Sequence, residues 1–582
     1  MIDSNYIRAI DTNGYNLTVM DDVIVGAFSN GDTLYLDSGI HYFNDNVQIN
    51  PNSTIICQGC DFSVGGTLSN NGTLNLTSNS VLNFTSTEGF GSSNCTLNAV
   101  GSSGDRVFIT GNDGWDFETE MNITANYTTF DSFETFKIDE DMIDPPAPTL
   151  SFDNCVFQNA STNDQAVNIE TDYLNSFDNN IIHTIGSNSF GLFLDTDSGI
   201  KEISNLTIDG PSAYFRTSNE DFEFINSSFG GVSISDDESG SVISKNHNDV
   251  DGDYYIWPGN WSLSKSQITN DFGSGDNVSV WKDLEGDPAK FVIDEDAELR
   301  NLYMISGDDY EYGLNFTPGI TVTFDDVAGA GFTGNGTSGY GDTRLFLNSI
   351  GNSVNWITFT SSGGKYPTNH WTGPSSQWYQ RSLMNYTLVQ GHQYWSIAGG
   401  QSPSGVDNSV FEGSTNYGFY IRDWDPTSHN VTIRDCGYGF RHYGSASLIN
   451  WTIENITEGN WNVYRSWGDD NTPTEFINSS FDDNEVEFVS GGSSRKSIIS
   501  KNHNKTEGKY LIWTSPGNTG DDWLNKTDIV NDFESGDNVT LKQGTLVIDE
   551  DADLNNILIK DTAFVNVTAG NTITFDDSPT SG

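Results

Sequence analysis

The sequence predicts an all-β chain that stacks similar units into a solenoid, and three observations predict it. Helical periodicity is almost absent, and short runs of alternating apolar and polar residues dominate instead. Clusters of Gly, Asn, Asp and Ser, the residues of tight polar turns, separate those runs. A long passage also occurs twice in one order: FINSSF at 224–229 and 476–481, ISKNHN at 243–248 and 499–504, SGDNV at 274–278 and 535–539, VIDEDA at 292–297 and 547–552, and TFDD at 323–326 and 574–577. The offset between the copies drifts between 251 and 261 residues. Such drift fits a core built by nearest-neighbour stacking, where loops lengthen without disturbing it.

The elements follow in order. Thr33–Tyr35, Val47–Ile49, Thr54–Cys57, Thr73–Leu76, Val81–Phe84 and Val107–Thr110 read as short strands. GTLSNNGTLNLTSNSVLNFTST (66–87) and FTPGITVTFDDVAGAGFTGNG (316–336) set apolar-x-apolar strands between Gly-rich turns, with DRVFIT (105–110) and VNWITFT (354–360) after them. SNLTIDG (204–210), HNVTIRD (429–435) and INWTIEN (449–455) share an Asn-x-Thr-Ile strand entry. On this rhythm, residues 30–582 resemble the right-handed parallel β-helix superfamily, the shape shared by pectate lyases, viral tail spikes and many archaeal surface proteins. The resemblance implies a fold and not an activity. At about two dozen residues a coil and about 4.8 Å between coils, it implies on the order of twenty coils and a rod approaching about 100 Å. Residues 1–30 are expected to cap or adapt the N-terminal end, 31–290 and 291–545 to form two β-helix units, and 546–582 to open a further rung set or cap the C-terminal end. The first copy of TFDD runs on into another rung, so the last coil is expected to meet another subunit or further chain. An antiparallel Greek-key sandwich is the alternative, which strand rhythm and duplication disfavour.

Charge narrows the setting. Asp and Glu number 81 against 25 Lys and Arg, giving −56 over 582 residues. Such a chain repels itself at ordinary salt, and that repulsion is screened when the Debye length falls to about 3 Å near 1 M. The acid excess resembles proteins of extreme halophiles, halophilic archaea above all; an ordinary acidic extracellular protein is the plainer reading. No basic patch offers itself to phosphates, so nucleic acid is not an expected partner. No run of 18 apolar residues is present, so no membrane span is expected. The start, MIDSNYIRAIDTNGYNL, lacks a basic segment followed by an apolar one and is not a secretory signal. Cys57, Cys60, Cys95, Cys155 and Cys436 make an odd set. CQGC has no second ligand pair for zinc and no helix start for a thioredoxin-like site, so buried or locally paired thiols are expected.

Because the superfamily includes polysaccharide lyases and hydrolases, catalysis has to be considered. A lyase would set calcium-binding Asp residues beside a Lys or Arg base, and a hydrolase would pair carboxylates about 5–10 Å apart. No passage combines the lyase Asp-His or the polygalacturonase Asp-Asp, Gly-His-Gly and Arg-x-Lys signatures. The nearest cluster is Arg422, Asp423 and Asp425 in RDWDP with Arg441 and His442 in FRHYG; solvated turn carboxylates are the plainer reading. Asp249, Asp251 and Asp253 alternate around a Gly as in calcium loops, but the first ligand position falls on His247 and the second copy sets Lys505 and Lys509 where acids stood. No metal or other cofactor is expected. KNHN with Trp257 matches KNHN with Trp513, and both histidines, His247 and His503, read as scaffold of a polar turn.

The aromatic concentration is the best functional lead. Eight of 14 Trp lie between 356 and 467, where residues 345–470 hold nine acids and six bases. Losing acid while gaining Trp, Tyr and Arg marks a contact face, since those residues anchor interfaces; a wider core filled by Trp is the competing reading. The expected binding residues are Trp371, Trp378, Tyr379, Trp395, Tyr420, Arg422, Trp424, Arg441, Tyr464 and Trp467. There are 24 Asn-x-Ser/Thr sites, among them Asn16, Asn52, Asn122, Asn205, Asn315, Asn430, Asn478 and Asn566. They favour a glycosylated surface protein, although Asn-x-Thr also falls where a turn enters a strand. The expectation is a non-catalytic extracellular β-helix that recognises or adheres to a host or neighbouring cell-surface glycan or protein. Its most concrete form is a tail spike or fibre of a virus of halophilic archaea, with the trimeric state such spikes often have. An S-layer-type structural protein and a polysaccharide-degrading enzyme are the alternatives.

Overall fold

The computed structural model describes residues 6–576 apart from 8, 27–30, 113, 140–148, 162–164, 184–189, 197–200, 210–212, 217–220, 231, 235–239, 260–261, 283–289, 307–310, 328, 337–343, 364–370, 373–379, 399–404, 423–426, 444–445, 458–463, 468–472, 484–485, 489–496, 515–522 and 561. The chain is an all-β parallel solenoid of about 17 turns with almost no helix. It divides into two compact units. The first is Met1–Trp261 with Ile268–Asn270 and Leu284–Gly286; the second is Ser262–Gln267, Asp271–Asp283 and Asp287–Gly582.

Period-2 alternation explains each core. In the first unit the register stacks Leu34, Ile55, Leu74, Leu97, Ile123, Leu150 and Leu174 on seven successive coils. All seven are buried, and each contributes about 1.5–3 kcal/mol of apolar burial. A second row runs Phe62, Leu82, Ile109, Phe130, Phe157, Ile182 and Ile208. The second unit repeats the device with Val322, Phe359, Val389, Phe411, Ile433 and Ile453. The N-terminal segment expected to cap or adapt the first unit carries strands of the same kind: Leu17–Val19 pairs in parallel with Ile40–Phe43, and Val23–Val25 with Val47–Ile49.

The turns reveal a duplication longer than the shared passage. In the first unit Tyr127, Asn154, Asn179, Asn205, Asn226 and Asn246 adopt left-handed backbone, and in the second Tyr386, Asn408, Asn430, Asn450, Asn478 and Asn502 do the same, all with φ of 47–58°. Asn tolerates that region, which most L-residues avoid. The amides then link up: Asn430 Nδ2 donates to Asn408 Oδ1 at 2.8 Å and Asn450 Nδ2 to Asn430 Oδ1 at 3.0 Å.

The KNHN passage interrupts the parallel order. Val242–Lys245 pairs antiparallel with Asp253–Trp257, and Ser497–Lys501 with Lys509–Thr514. Each hairpin turn is closed by Asn246 or Asn502 Oδ1, which accepts from the N–H of Gly252 or Gly508 at 2.9 and 2.8 Å. Those glycines hold φ of 78° and 72°, where a side chain would be strained. As expected, the histidines are scaffold. His247 Nδ1 lies 3.0 Å from Ser244 Oγ and its ring meets Phe229 edge-on at 4.9 Å; His503 repeats this with Ser500 and Phe481 at 3.0 and 4.8 Å.

Candidate functional site

Five parallel strands of the second unit form one sheet: Ser396–Ala398, Tyr417–Arg422, Tyr438–Tyr443, Tyr464–Trp467 and Val486–Phe488. Phe419, Ile421, Phe440 and His442 are buried in the core, while Tyr420 and Arg441 between them are half-buried on the other face. The register sets Ser396, Tyr420, Arg441, Arg465 and Glu487 in one row. Two residues further on, Ala398 pairs with Arg422 and Tyr443 with Trp467.

The Arg441 guanidinium lies 4.8 Å from the Tyr420 ring centre and 5.3 Å from that of Tyr417. Tyr417 in turn stands 5.1 Å from Tyr438. The tilted Tyr417 and Tyr438 rings, with the Arg441 guanidinium over Tyr417 and Tyr420, make one cation–aromatic cluster in which Tyr417 is buried and Tyr420, Tyr438 and Arg441 are half-buried. The strand beneath is anchored from inside. His392 is buried, its Nε2 is 2.9 Å from Gly418 O, and burial pushes its pKa down to about 4, so the ring is neutral at ordinary pH. Gly418 is required there, because a Cβ would come within 2.5 Å of Ile433 Cγ2 and 2.9 Å of Cys436 Sγ.

The two units differ on this sheet. In the first unit the strands at the same place, Gln165–Glu170, Phe190–Asp195, Ala213–Arg216 and Val232–Ile234, set Asn168, Phe193, Tyr214 and Ser233 in the corresponding row. Glu170, Asp195 and Arg216 occupy the next row. Both sheets follow equivalent strands, Val156–Gln158 and Val410–Glu412.

The expected binding residues divide accordingly. Tyr420, Arg422, Arg441, Tyr464 and Trp467 fall on three neighbouring strands of the one sheet; Tyr464 takes the register of Phe440. Trp371 lies on a different strand, Trp371–Thr372, paired with His392–Tyr394. Trp378, Tyr379 and Trp424 are outside the described residues, as are Asp423 and Asp425. Trp395 is a correction: it is 0% exposed, packed 5.0 Å from Phe359 and 6.5 Å from Phe332, and belongs to the core. Trp451 is core as well, 4.8 Å from Phe440. His442, the weak catalytic candidate, is buried and stacks on Phe440 at 5.8 Å, so it is no part of an exposed acid–base cluster.

The remaining expectations concern metals, thiols and sequons. Asp249, Asp251 and Asp253 belong to the hairpin turn described above. Among the described residues the acidic trio whose carboxylates come within 4.8 Å of one another is the exposed set Asp21, Asp22 and Asp45 instead. Cys57 and Cys60 are disulfide-bonded, and Cys95, Cys155 and Cys436 are buried free thiols, with Cys155 and Cys436 pushed up to about 12 by burial. Several sequons serve the frame: Asn205 and Asn430 donate into the amide ladder, Asn478 accepts within it, Asn315 accepts from Asn348 Nδ2 on the next strand, and Asn16 and Asn122 accept from the N–H of Ile40 and Thr149. Asn52 and Asn566 are exposed.

Sequence reading missed two duplicated ion sites. Lys265 is buried against Asp271, Glu295 (2.8 Å) and the Phe272 ring (5.3 Å); Lys526 repeats this with Asp532, Glu550 (2.7 Å) and Phe533 (5.4 Å). Buried Glu223 accepts from the backbone of Thr269 and Asn270, and buried Glu475 from that of Val530 and Asn531. The signal was present in the matched segments LSKSQITNDF (263–272) and LNKTDIVNDF (524–533). No protein-family model matches the chain, and no curated protein matches it in sequence.

Proposed function

We propose that the protein is a non-catalytic recognition or adhesion β-helix that holds a cell-surface glycan against the aromatic and arginine face of its second unit. The observation that carries this is the contact of Arg441 with Tyr420 and Tyr417 on a sheet whose counterpart in the first unit lacks that set. A flat ring such as that of half-buried Tyr420 suits the C–H face of a sugar, and the Arg441 guanidinium holds that ring in place. With His442 in the core, the face supports binding rather than reaction. The charge of −56 supports an extracellular setting in concentrated salt. The most concrete form of the reading is a right-handed spike or fibre, trimeric, on a virus of a halophilic archaeon. The exposed sequons Asn52 and Asn566 support a second form, a glycosylated surface-layer protein.

The test is a titration of the full chain on an immobilised panel of neutral and acidic polysaccharides in molar salt. Binding to at least one polysaccharide is expected. Tyr420→Ala is expected to weaken it about tenfold or more with an unchanged melting temperature. A Tyr420→Ala variant that binds like the wild-type chain would refute the face.

A further inference from the structure

We infer that the second unit carries a further binding site, for an uncharged sugar ring, at the corner where Trp356 meets Tyr386. The site is separate from the sheet of Tyr420 and Arg441. Arg344–Ile350 and Gln380–Asn385 pair in one sheet, Ile357–Ser361 and Thr387–Gln390 pair in another, and the chain turns from the first to the second at this corner. Trp356 and Tyr386 are half-buried and stand edge to face, with 5.7 Å between ring centres. On the strands that enter the corner Ile350 and Leu383 are exposed, and in the turn itself Val354 is 83% exposed.

The first unit has the same corner without these side chains, so the frame does not require them. Ser102 N donates to Asp105 O in the first turn and Asn352 N to Asn355 O in the second, both at 3.0 Å. Gly101 and Gly351 open the two turns, and a Cβ on them would lie 2.7 and 2.8 Å from the carbonyl oxygens of Tyr127 and Tyr386. With the turns so aligned, Gly104, Asp105 and Arg106 give way to Val354, Asn355 and Trp356. Asn98 pairs with Thr124 and Asn348 with Leu383, so Thr124 gives way to Leu383. Arg106 serves its frame: it lies 6.0 Å from the Tyr127 ring centre and donates to Thr129 Oγ1 at 3.1 Å and Thr128 O at 3.3 Å. The second unit has exchanged an acid, a base, a glycine and a threonine for one amide and three apolar side chains. Apolar surface left in water adds nothing to folding, and gathered in one place it marks a contact site.

The chemistry of the corner selects the ligand. Both charges of the first-unit turn are gone, so a charged group finds no counterpart in this one. A half-open indole offers a flat face to the C–H face of a sugar. Further along the corner Asn385 Oδ1 accepts from Asn408 Nδ2 at 2.9 Å, and Asn408 Oδ1 from Asn430 Nδ2 at 2.8 Å. Each bond uses one N–H of an amide that has two, which leaves the other for a sugar hydroxyl. Successive coils stand about 4.8 Å apart, so a glycan running along the corner passes from the rings to these amides. A stable protein partner would need about 20–30 residues on each side, and the patch of Ile350, Val354, Trp356, Leu383 and Tyr386 is far smaller.

The experiment measures binding of the full-length chain to dextran, laminarin and mannan, with polygalacturonate for comparison, in molar salt, which screens ionic contacts and leaves stacking intact. At least one of the three neutral glycans is expected to bind. Trp356→Arg, which installs the first unit's residue, is expected to weaken that binding about tenfold or more at an unchanged melting temperature. Should Trp356→Arg melt early, Val354→Gly combined with Leu383→Thr gives the same reading. Loss of binding in Trp356→Arg supports the site whether or not Tyr420→Ala shares the loss. Loss in Tyr420→Ala with wild-type binding in Trp356→Arg would overturn the site and leave the recognition face intact. Binding of polygalacturonate alone would overturn it as well, again without touching that face. A chain that binds no neutral glycan but self-associates, and stops doing so in Trp356→Arg, would make the corner a protein contact and overturn the sugar.

Discussion

Trp395 and Tyr420 come from one aromatic-rich stretch and have opposite roles. Composition singled out both, but it does not encode which side of a strand a residue takes, nor how a chain entering a strand from a turn places its first side chain. Trp395 follows His392–Tyr394 and lies in the core beside Phe359, whereas Tyr420 alternates with Phe419 and Ile421 and lies on the outer face. Trp395→Ala is therefore expected to cost about 3–5 kcal/mol in urea unfolding through the cavity it leaves, with glycan affinity unchanged in the folded protein. Affinity lost together with stability would return Trp395 to the contact face. The two hairpin histidines give a pH signature. Burial pushes His247 and His503 down to about 4, below the ordinary imidazole value, and His503 Nε2 is buried with no hydrogen-bond partner. A ring neutral in the fold but protonated in the unfolded chain contributes stability that is complete above about pH 6.5 and lost as pH falls toward 4. Relative to a His247→Leu, His503→Leu chain, the wild type should lose stability across that window; a pH-independent difference would contradict it.

At the scale of elements, strand positions and the parallel order were legible, and the local reversal at each KNHN turn was not. Val47–Ile49, Thr54–Cys57 and Val81–Phe84 form as their alternation predicts, because period-2 burial is written directly in the residues. The antiparallel pair at each KNHN turn left no such mark, since alternation is the same in both directions. The left-handed asparagines predict that Asn450→Val costs about 1–3 kcal/mol, through backbone strain and a broken amide ladder, while Asn450→Gly is milder. Equal losses would argue that φ is not the constraint. The lysine clamps carry another test. Burial alone would lower the Lys526 pKa, but hydrogen bonds to Asp532 and Glu550 more than offset it and the net shift is upward. Lys526→Met leaves those half-exposed carboxylates facing each other and is expected to cost about 1–3 kcal/mol, less than a fully buried pair would. A neutral substitution would show that the clamp is decorative.

For the whole molecule, the solenoid was readable because the duplication drifts in offset while its order holds, which stacked coils permit and a single packed core resists. The differing sheets were not readable, because the copies match best where they are frame and lose sequence similarity where they carry the face. A net charge of −56 predicts that the thermal midpoint rises as salt approaches 1 M, where the Debye length is about 3 Å; full stability in dilute buffer would contradict a halophilic setting. The central claim is that recognition belongs to a sheet on which the units diverge, the one that carries Tyr420 and Arg441. Its most direct test replaces that row with its first-unit counterpart, Tyr420→Asn, Arg441→Phe, Arg465→Tyr and Glu487→Ser, and measures glycan binding beside the melting temperature. A chain that melts like the wild type and no longer binds is expected; one that melts and binds like the wild type would place recognition elsewhere.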